Sequence, residues 1–181
     1  YPDCHSRTAM LRFVLLEKDA DVQSLAPLQS LLDDRVRSSR NPAWARLPKE
    51  IAWVQPGHFY VLAMDGSIPL GFVFGVKAQD HLSVDAYYTH SAHRSQRVAT
   101  RLTYYLLALA RKRGLKSVYI PNALDPVIQF AKKMQSNPRW VGKGKGGIGS
   151  SPPERFLISN GTVRITLASW KEIRKMTKRR H

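Results

Sequence analysis

The run HRSQRVATRL, His93 to Leu102, sets Arg94, Arg97 and Arg101 three or four residues apart, where a β-rich stretch gives way to helical spacing. A helix start presents N–H groups with no intrahelical partner, together with the positive end of its dipole. It therefore favours a bound phosphate before any side chain is counted. Three arginines around the opening add charge of the same sign, so the chemistry on offer is anion binding. The competing reading is an ordinary basic helix start. His90 and His93 flank the turn, but no third ligand stands at a metal-binding spacing. Further on, VGKGKGGIG (141–149) lacks the Gly-Lys-Ser/Thr of a P-loop. Lys143 and Lys145 there suit salt-dependent contact with a nucleic-acid backbone, against the plainer reading of a connection before a strand.

Charge is divided unevenly along the 181 residues. Residues 1–90 hold nine Lys/Arg and ten Asp/Glu; residues 91–181 hold twenty and three, giving a net charge of +16. Such a field attracts polyanions: nucleic acid, an anionic membrane surface, or a multiply phosphorylated cofactor. Cys4 is the only cysteine, which excludes a disulfide framework and a cysteine-built zinc site. No apolar run approaches the roughly 18 residues of a bilayer span and no secretory leader is legible, so an intracellular, cytoplasmic protein is expected.

The elements that must position the turn follow from periodicity. MLRFVLLEK (10–18) reads as a strand. Val22, Leu25, Leu28, Leu31 and Leu32 then recur at helical spacing, with Pro27 marking a kink or restart. Residues 38–57 hold three prolines and two tryptophans, an ordered excursion that folds Trp44 and Trp53 back onto the body. Two β-rich stretches joined at Asp65-Gly66 form a hairpin, and HLSVDAYYTH (81–90) adds a third antiparallel strand. Its alternation sets Leu82, Val84, Ala86 and Tyr88 against Ser83, Asp85 and Tyr87. A helix over 96–113 buries Val98, Leu102, Leu106 and Leu109 and stops at Gly114. KSVYIPN returns as a parallel strand, DPVIQFAKKM as a helix begun by Asp125-Pro126, and two last strands turn at Asn160-Gly161. One domain over 1–168 is expected, with 169–181 a basic helix or tail.

The run YYTHSAHRSQRVATRL, with LLALARKRG and SVYIPN behind it, resembles the acetyl-CoA motif of the GNAT superfamily of N-acetyltransferases. The order of elements matches over about residues 8 to 168. The resemblance implies an α/β (α+β) fold with a mixed, mostly antiparallel sheet of six or seven strands, two of them splayed, flanked by helices. It implies acetyl-CoA as cofactor. The family's loop, Arg/Gln-x-x-Gly-x-Gly/Ala, maps from Arg94 to Ala99, taking in Ser95, Gln96, Arg97 and Val98 and leading into Thr100. The backbone of Thr89, His90 and Ser91 would face the pantetheine arm, and Asn122 and Phe130 fall at further cofactor positions. Arg97 stands where the family has its central glycine. The expectation is that arginine keeps a helical backbone and aims its guanidinium at the pyrophosphate, or else fills the cradle.

Acetyl transfer needs a deprotonated amine, a thioester held in line and a polarised carbonyl. Asp85, on one alternating face with His81 and Ser83, is the candidate base, against the reading of a solvent-facing strand residue. The tyrosine that often protonates the departing thiolate is missing from IQFAKKM, leaving Tyr87, Tyr88, Tyr104 and Tyr105 as candidate acids. Arg139-Trp140 stands where the family has Gly-Phe. The expected function is direct acetyl-CoA-dependent N-acetylation of an amine on a protein, a small molecule or an aminoacyl-tRNA. The alternative is a catalytically impaired domain of this fold, serving as a binding or structural subunit of an RNA-containing or multiprotein assembly.

Overall fold

A computed structural model describes residues 11–17, 22–38, 57–136 and 154–167. Seven strands form one sheet in the order β1-β2-β3-β4-β5-β7-β6: β1 Leu11–Leu16, β2 His58–Asp65, β3 Ile68–Lys77, β4 His81–Thr89, β5 Ser117–Ile120, β6 Glu154–Ser159 and β7 Thr162–Leu167. Every pairing is antiparallel except β4 with β5. The helices are α1 Val22–Ser38, α2 Val98–Lys112 and α3 Asp125–Ser136. This is the mixed, mostly antiparallel sheet flanked by helices expected from the sequence.

Turn chemistry sets the register at both hairpins. Asp65 pairs Ile68 across a two-residue loop in which Gly66 has φ 58°. At the second, Ser159 pairs Thr162, with Asn160 at φ 47° and Gly161 at φ 75°. Both loop residues there lie in the left-handed region that a tight hairpin of this twist requires. The parallel return of β5 needs a crossover, and α2 supplies it. Gly114, at φ 68°, ends α2 while its N–H donates to Arg111 C=O and Leu115 N–H donates to Ala110 C=O. Those bonds satisfy carbonyls that the last turn would otherwise leave bare.

The sheet is packed on both faces. One face, with Val61, Val73, Leu82 and Val118, meets Val98, Leu102 and Leu106 of α2 and Val127 and Phe130 of α3. The other face, with Tyr60, Leu62, Phe72 and Tyr88, meets Leu28, Leu31 and Leu32 of α1. α1 runs through Pro27 without a restart, because a proline in the second turn removes only one amide from the ladder. The readings of Trp44 and Trp53, the glycine-lysine run at 141–149, Arg139-Trp140 and the basic tail at 169–181 fall outside the described residues.

One close approach seats the site. A Cβ on Gly71 would lie 2.5 Å from the Tyr88 carbonyl oxygen and 2.9 Å from Val98 Cγ1, so β3, β4 and the start of α2 meet where no side chain fits. Gly71→Ala is expected to destabilise the fold by about 1–3 kcal/mol, as overpacking does. Denaturant midpoints at unchanged slope would register the loss.

Candidate active site

β4 carries one residue too many for its partner. Val84 pairs Gly75 and Ala86 pairs Phe74, which leaves Asp85 bulged out of the ladder and exposed. A bulge also shifts side-chain parity by one. Before it, Leu82 and Val84 face α2; beyond it Tyr87 takes that face, and Tyr88 joins the cluster under α1. The continuous alternation read from the sequence therefore breaks at Asp85, and Ala86 and Tyr88 are not in line with Leu82 and Val84. The Tyr87 hydroxyl is buried and donates to Thr103 Oγ1 at 2.8 Å, while Thr103 donates to Ala99 C=O. Burial, against the Thr103 hydrogen bond, pushes that phenol well up.

At the same place β5 leaves β4. Their pairing covers only His81–Ser117, Leu82–Val118 and Ser83–Tyr119, whereas β4 runs on to Thr89. From Val84 onward the β5-facing edge of β4 has no strand partner among the described residues. Thr89 stands opposite Gly71, and His90 N–H reaches Leu70 C=O at 2.8 Å. Antiparallel alternation then turns the main-chain groups of Thr89 towards the open edge. The next amides are committed inward: His90 N–H to Leu70, and Ser91 N–H to Asp34 Oδ2 at 3.0 Å. Of the stretch expected to face a pantetheine arm, only Thr89 presents its main chain to the fork.

Ser91–Gln96, which includes Arg94 and Ser95, form a short 3-10 helix that His90 caps by accepting Ala92 N–H on Nδ1 at 3.1 Å. Gln96 Nε2 lies 3.2 Å from His93 Nδ1, and the two histidine rings are 5.4 Å apart. Arg94 is exposed, and its side chain acts against the burial and the Asp34 contact that raise the Tyr88 pKa. Arg97 departs from the expected helical backbone: at φ 54°, ψ 34° it is left-handed, and α2 begins only at Val98. Its main chain does what a glycine there would do, while its side chain stays exposed. No side-chain hydrogen bond caps α2, and its ladder starts with Arg101 N–H to Arg97 C=O at 3.1 Å. The amides of Val98, Ala99 and Thr100 precede that ladder. The side chains of Val98 and Ala99 are buried, so these two residues could meet a ligand only through the backbone.

Beside the mouth of α2 a groove of about 490 Å³ runs between Arg97, Thr100 and Tyr104 on one wall and Gln129, Phe130 and Lys133 of α3 on the other. Phe130 is mostly core, edge-on to Tyr104 at 5.0 Å and to Phe156 at 5.8 Å. Asn122 is exposed in the turn that ends β5. Tyr119 is the last residue β5 pairs with β4, and Arg164 lies over its ring at 5.2 Å. Among the described residues no three His, Cys, Asp or Glu converge on a metal-binding position. No described helix is long and apolar enough to cross a membrane.

Asp34 is the functional-looking residue that the sequence reading passed over. It sits buried on α1 and accepts from the Tyr88 hydroxyl at 2.6 Å, the Ser91 hydroxyl at 3.0 Å and the Ser91 amide. His90 Nε2 lies 3.4 Å from Oδ1, the oxygen that the Ser91 hydroxyl also meets. Burial raises its pKa, but the hydrogen bonds from Tyr88 and Ser91 and the His90 charge outweigh it and hold the carboxyl below its usual range. The signal was available, since Asp34 follows Leu31 by three residues on the apolar stripe of α1.

Two measurements follow. A carboxylate with a depressed folded pKa contributes stability that is complete above its unfolded value and is lost as pH falls towards the folded one. The stability gap between the protein and Asp34→Asn should therefore narrow below about pH 4 and stay flat near neutrality; urea titrations across pH would show it. Arg97→Gly should leave stability unchanged or raise it by up to about 1 kcal/mol, whereas Arg97→Val should lower it by about 1–2 kcal/mol, because only glycine enters the left-handed region freely.

Residues 25–135 match the profile described as the Acetyltransferase (GNAT) family. Among solved structures, Escherichia coli ElaA superposes with TM-score 0.56 at 14% identity, covering 88% of this chain and all of that one. An aminoglycoside 6'-acetyltransferase type Ii gives 0.52 at 19%, over 86% and 98%. The paia N-acetyltransferase of Thermoplasma acidophilum, solved in complex with coenzyme A, gives 0.51 at 9%, over 87% and 99%. At these identities the likeness is one of fold. No curated protein matches the sequence. With the profile spanning more than half of the chain, across the fork, the 3-10 turn and the α2–α3 groove, the protein belongs to the GNAT family of acetyltransferases.

Proposed function

We propose that the chain is an acetyl-CoA-dependent N-acetyltransferase that passes the acetyl group directly to an amine. The observation that carries this reading is the left-handed Arg97 at the head of an uncapped α2, beside an edge of β4 that β5 has left open. An uncapped helix start offers its amides to a diphosphate, and the arginines at 94, 97 and 101 supply countercharge. The residues fit the coenzyme's other parts as well. The main chain of Thr89 would bind the pantetheine amide in strand fashion. The groove between α2 and α3 has room and cations for the nucleotide end, with Phe130 in its wall.

When bound, the coenzyme supplies a thioester whose carbonyl carbon takes the amine nitrogen as its C–S bond breaks, the thiolate taking a proton from solvent. Asp85, bulged and exposed just past the fork, receives the amine's proton directly or through one water. Tyr87 is bonded to Thr103 and Tyr88 to Asp34, while Tyr105 stacks on Phe13 at 5.1 Å and Tyr104 packs on Phe130. Arg155 and Arg164 are exposed on the β6–β7 end of the sheet, which supports an acceptor carrying negative charge, such as an aminoacyl-tRNA or an acidic protein.

Calorimetry with acetyl-CoA and desulfo-CoA is the direct test. Saturable binding of both is expected, with Arg94→Ala weakening it about tenfold, the size of one lost charge-assisted contact. Asp85→Asn should leave binding intact and cut turnover on an amine by about a hundredfold or more, the ordinary contribution of a general base. Absence of binding to either ligand would reject the enzyme in favour of the assembly subunit.

A further inference from the structure

Asp34 is chemically conspicuous and the acetyl-transfer reading gives it no part. A carboxylate in the core is costly unless its oxygens are met. Here they are met by donors drawn from one place only, the last residues of β4 and the turn after it: Tyr88 Oη, Ser91 N–H and Ser91 Oγ, with His90 Nε2 at 3.4 Å. Because Nδ1 of His90 accepts from Ala92, its proton in the neutral ring sits on Nε2, the nitrogen that faces Asp34. Ser38, at the end of α1, adds a bond of 3.0 Å to the Tyr88 hydroxyl. The helix on one face of the sheet thus grips the strand end from which the 3-10 turn and the mouth of α2 depart.

That grip has a directional consequence. By drawing the Ser91 amide inward it fixes where the extended strand stops and the turn begins. Thr89 is left facing the fork and Arg97 eight residues on, where the chain must reverse hand. We infer that Asp34 is a positioning residue for coenzyme binding, holding the Thr89–Ser91 segment so that the fork and the start of α2 stay aligned for one ligand. The inference rests on the acetyl-CoA reading and adds a residue from the opposite face of the sheet. Asp34 touches no ligand; it acts through Ser91 and Tyr88.

The test compares the unaltered 181-residue chain with Asp34→Asn, Ser91→Ala, the double variant, and Leu28→Val, a buried α1 change away from the turn. Acetyl-CoA affinity is measured by calorimetry beside thermal stability, and KM and kcat are measured where turnover is present. Asp34→Asn should weaken binding about tenfold and Ser91→Ala severalfold, with the double variant no weaker than Asp34→Asn because both cut the same bond. KM should rise with kcat little changed. Leu28→Val should lower stability and leave affinity alone. If Asp34→Asn, or Ser91→Ala should the former fail to fold, loses stability but binds as well as the unaltered protein, the latch is purely structural and the inference is overturned. If the unaltered protein does not bind the coenzyme, the acetyl-CoA reading falls first and takes this one with it.

Discussion

One surplus residue in β4 governs the arrangement around the site. Without the bulge at Asp85, β4 would keep a single parity from His81 to Thr89, and Tyr87 and Tyr88 would each face the opposite side. With it, Tyr87 locks down on Thr103 of α2 and Tyr88 reaches Asp34 of α1. The strand end is thereby clamped from both faces of the sheet at adjacent residues. Such a clamp is needed because β4 runs past its three pairs with β5 and has lost the ladder on that side. An unpaired strand edge in a sheet interior would be an unsatisfied row of donors and acceptors if nothing came to meet it. The proposed function gives that row to an extended, amide-bearing ligand.

Backbone strain is concentrated at the same end. Arg97 occupies a conformation that costs an L-residue about 1–2 kcal/mol, and it is one of two non-glycine residues with positive φ among those described. The other, Asn160, is the residue type that tolerates this region best and sits in a hairpin. Arginine has no such excuse, so the surrounding contacts must impose the angle. Val98 and Ala99 are anchored in the core immediately after it, and the 3-10 turn, held by His90 and Asp34, fixes the approach. Bounded on both sides, the chain has one residue in which to change direction.

The three adjacent antiparallel strands β2 to β4, both hairpins and the helix that buries Val98, Leu102 and Leu106 were legible because each is written in local periodicity or in a turn dipeptide. Asp65-Gly66 and Asn160-Gly161 announce their loops in the residue types that accept positive φ. The bulge was not legible. YY after DA satisfies either parity, since tyrosine is at home on both faces and only the cross-strand partner decides. Asp34 was missed for a related reason, because an acid at i+3 from Leu31 reads as a polar break in the stripe until Tyr88, His90 and Ser91, more than 50 residues away in sequence, are in view. At Arg97 the residue type argued for helix, and tertiary constraint overrode that local preference.

The low identities to the superposed structures fit this picture of what the fold demands. Few of the features that make the fork and the helix mouth need a particular side chain. They are a parity shift, an early end to one pairing, a left-handed residue and a run of amides, all of them main-chain properties that many sequences can supply. Side-chain identity matters where the geometry is tightest, as at Gly71, whose missing Cβ lets Val98 of α2 approach β3 and the end of β4. An arginine can therefore hold the left-handed conformation that glycine enters freely, provided its neighbours keep it there. At the mouth of α2 that same residue also sets a cation on the wall of the groove.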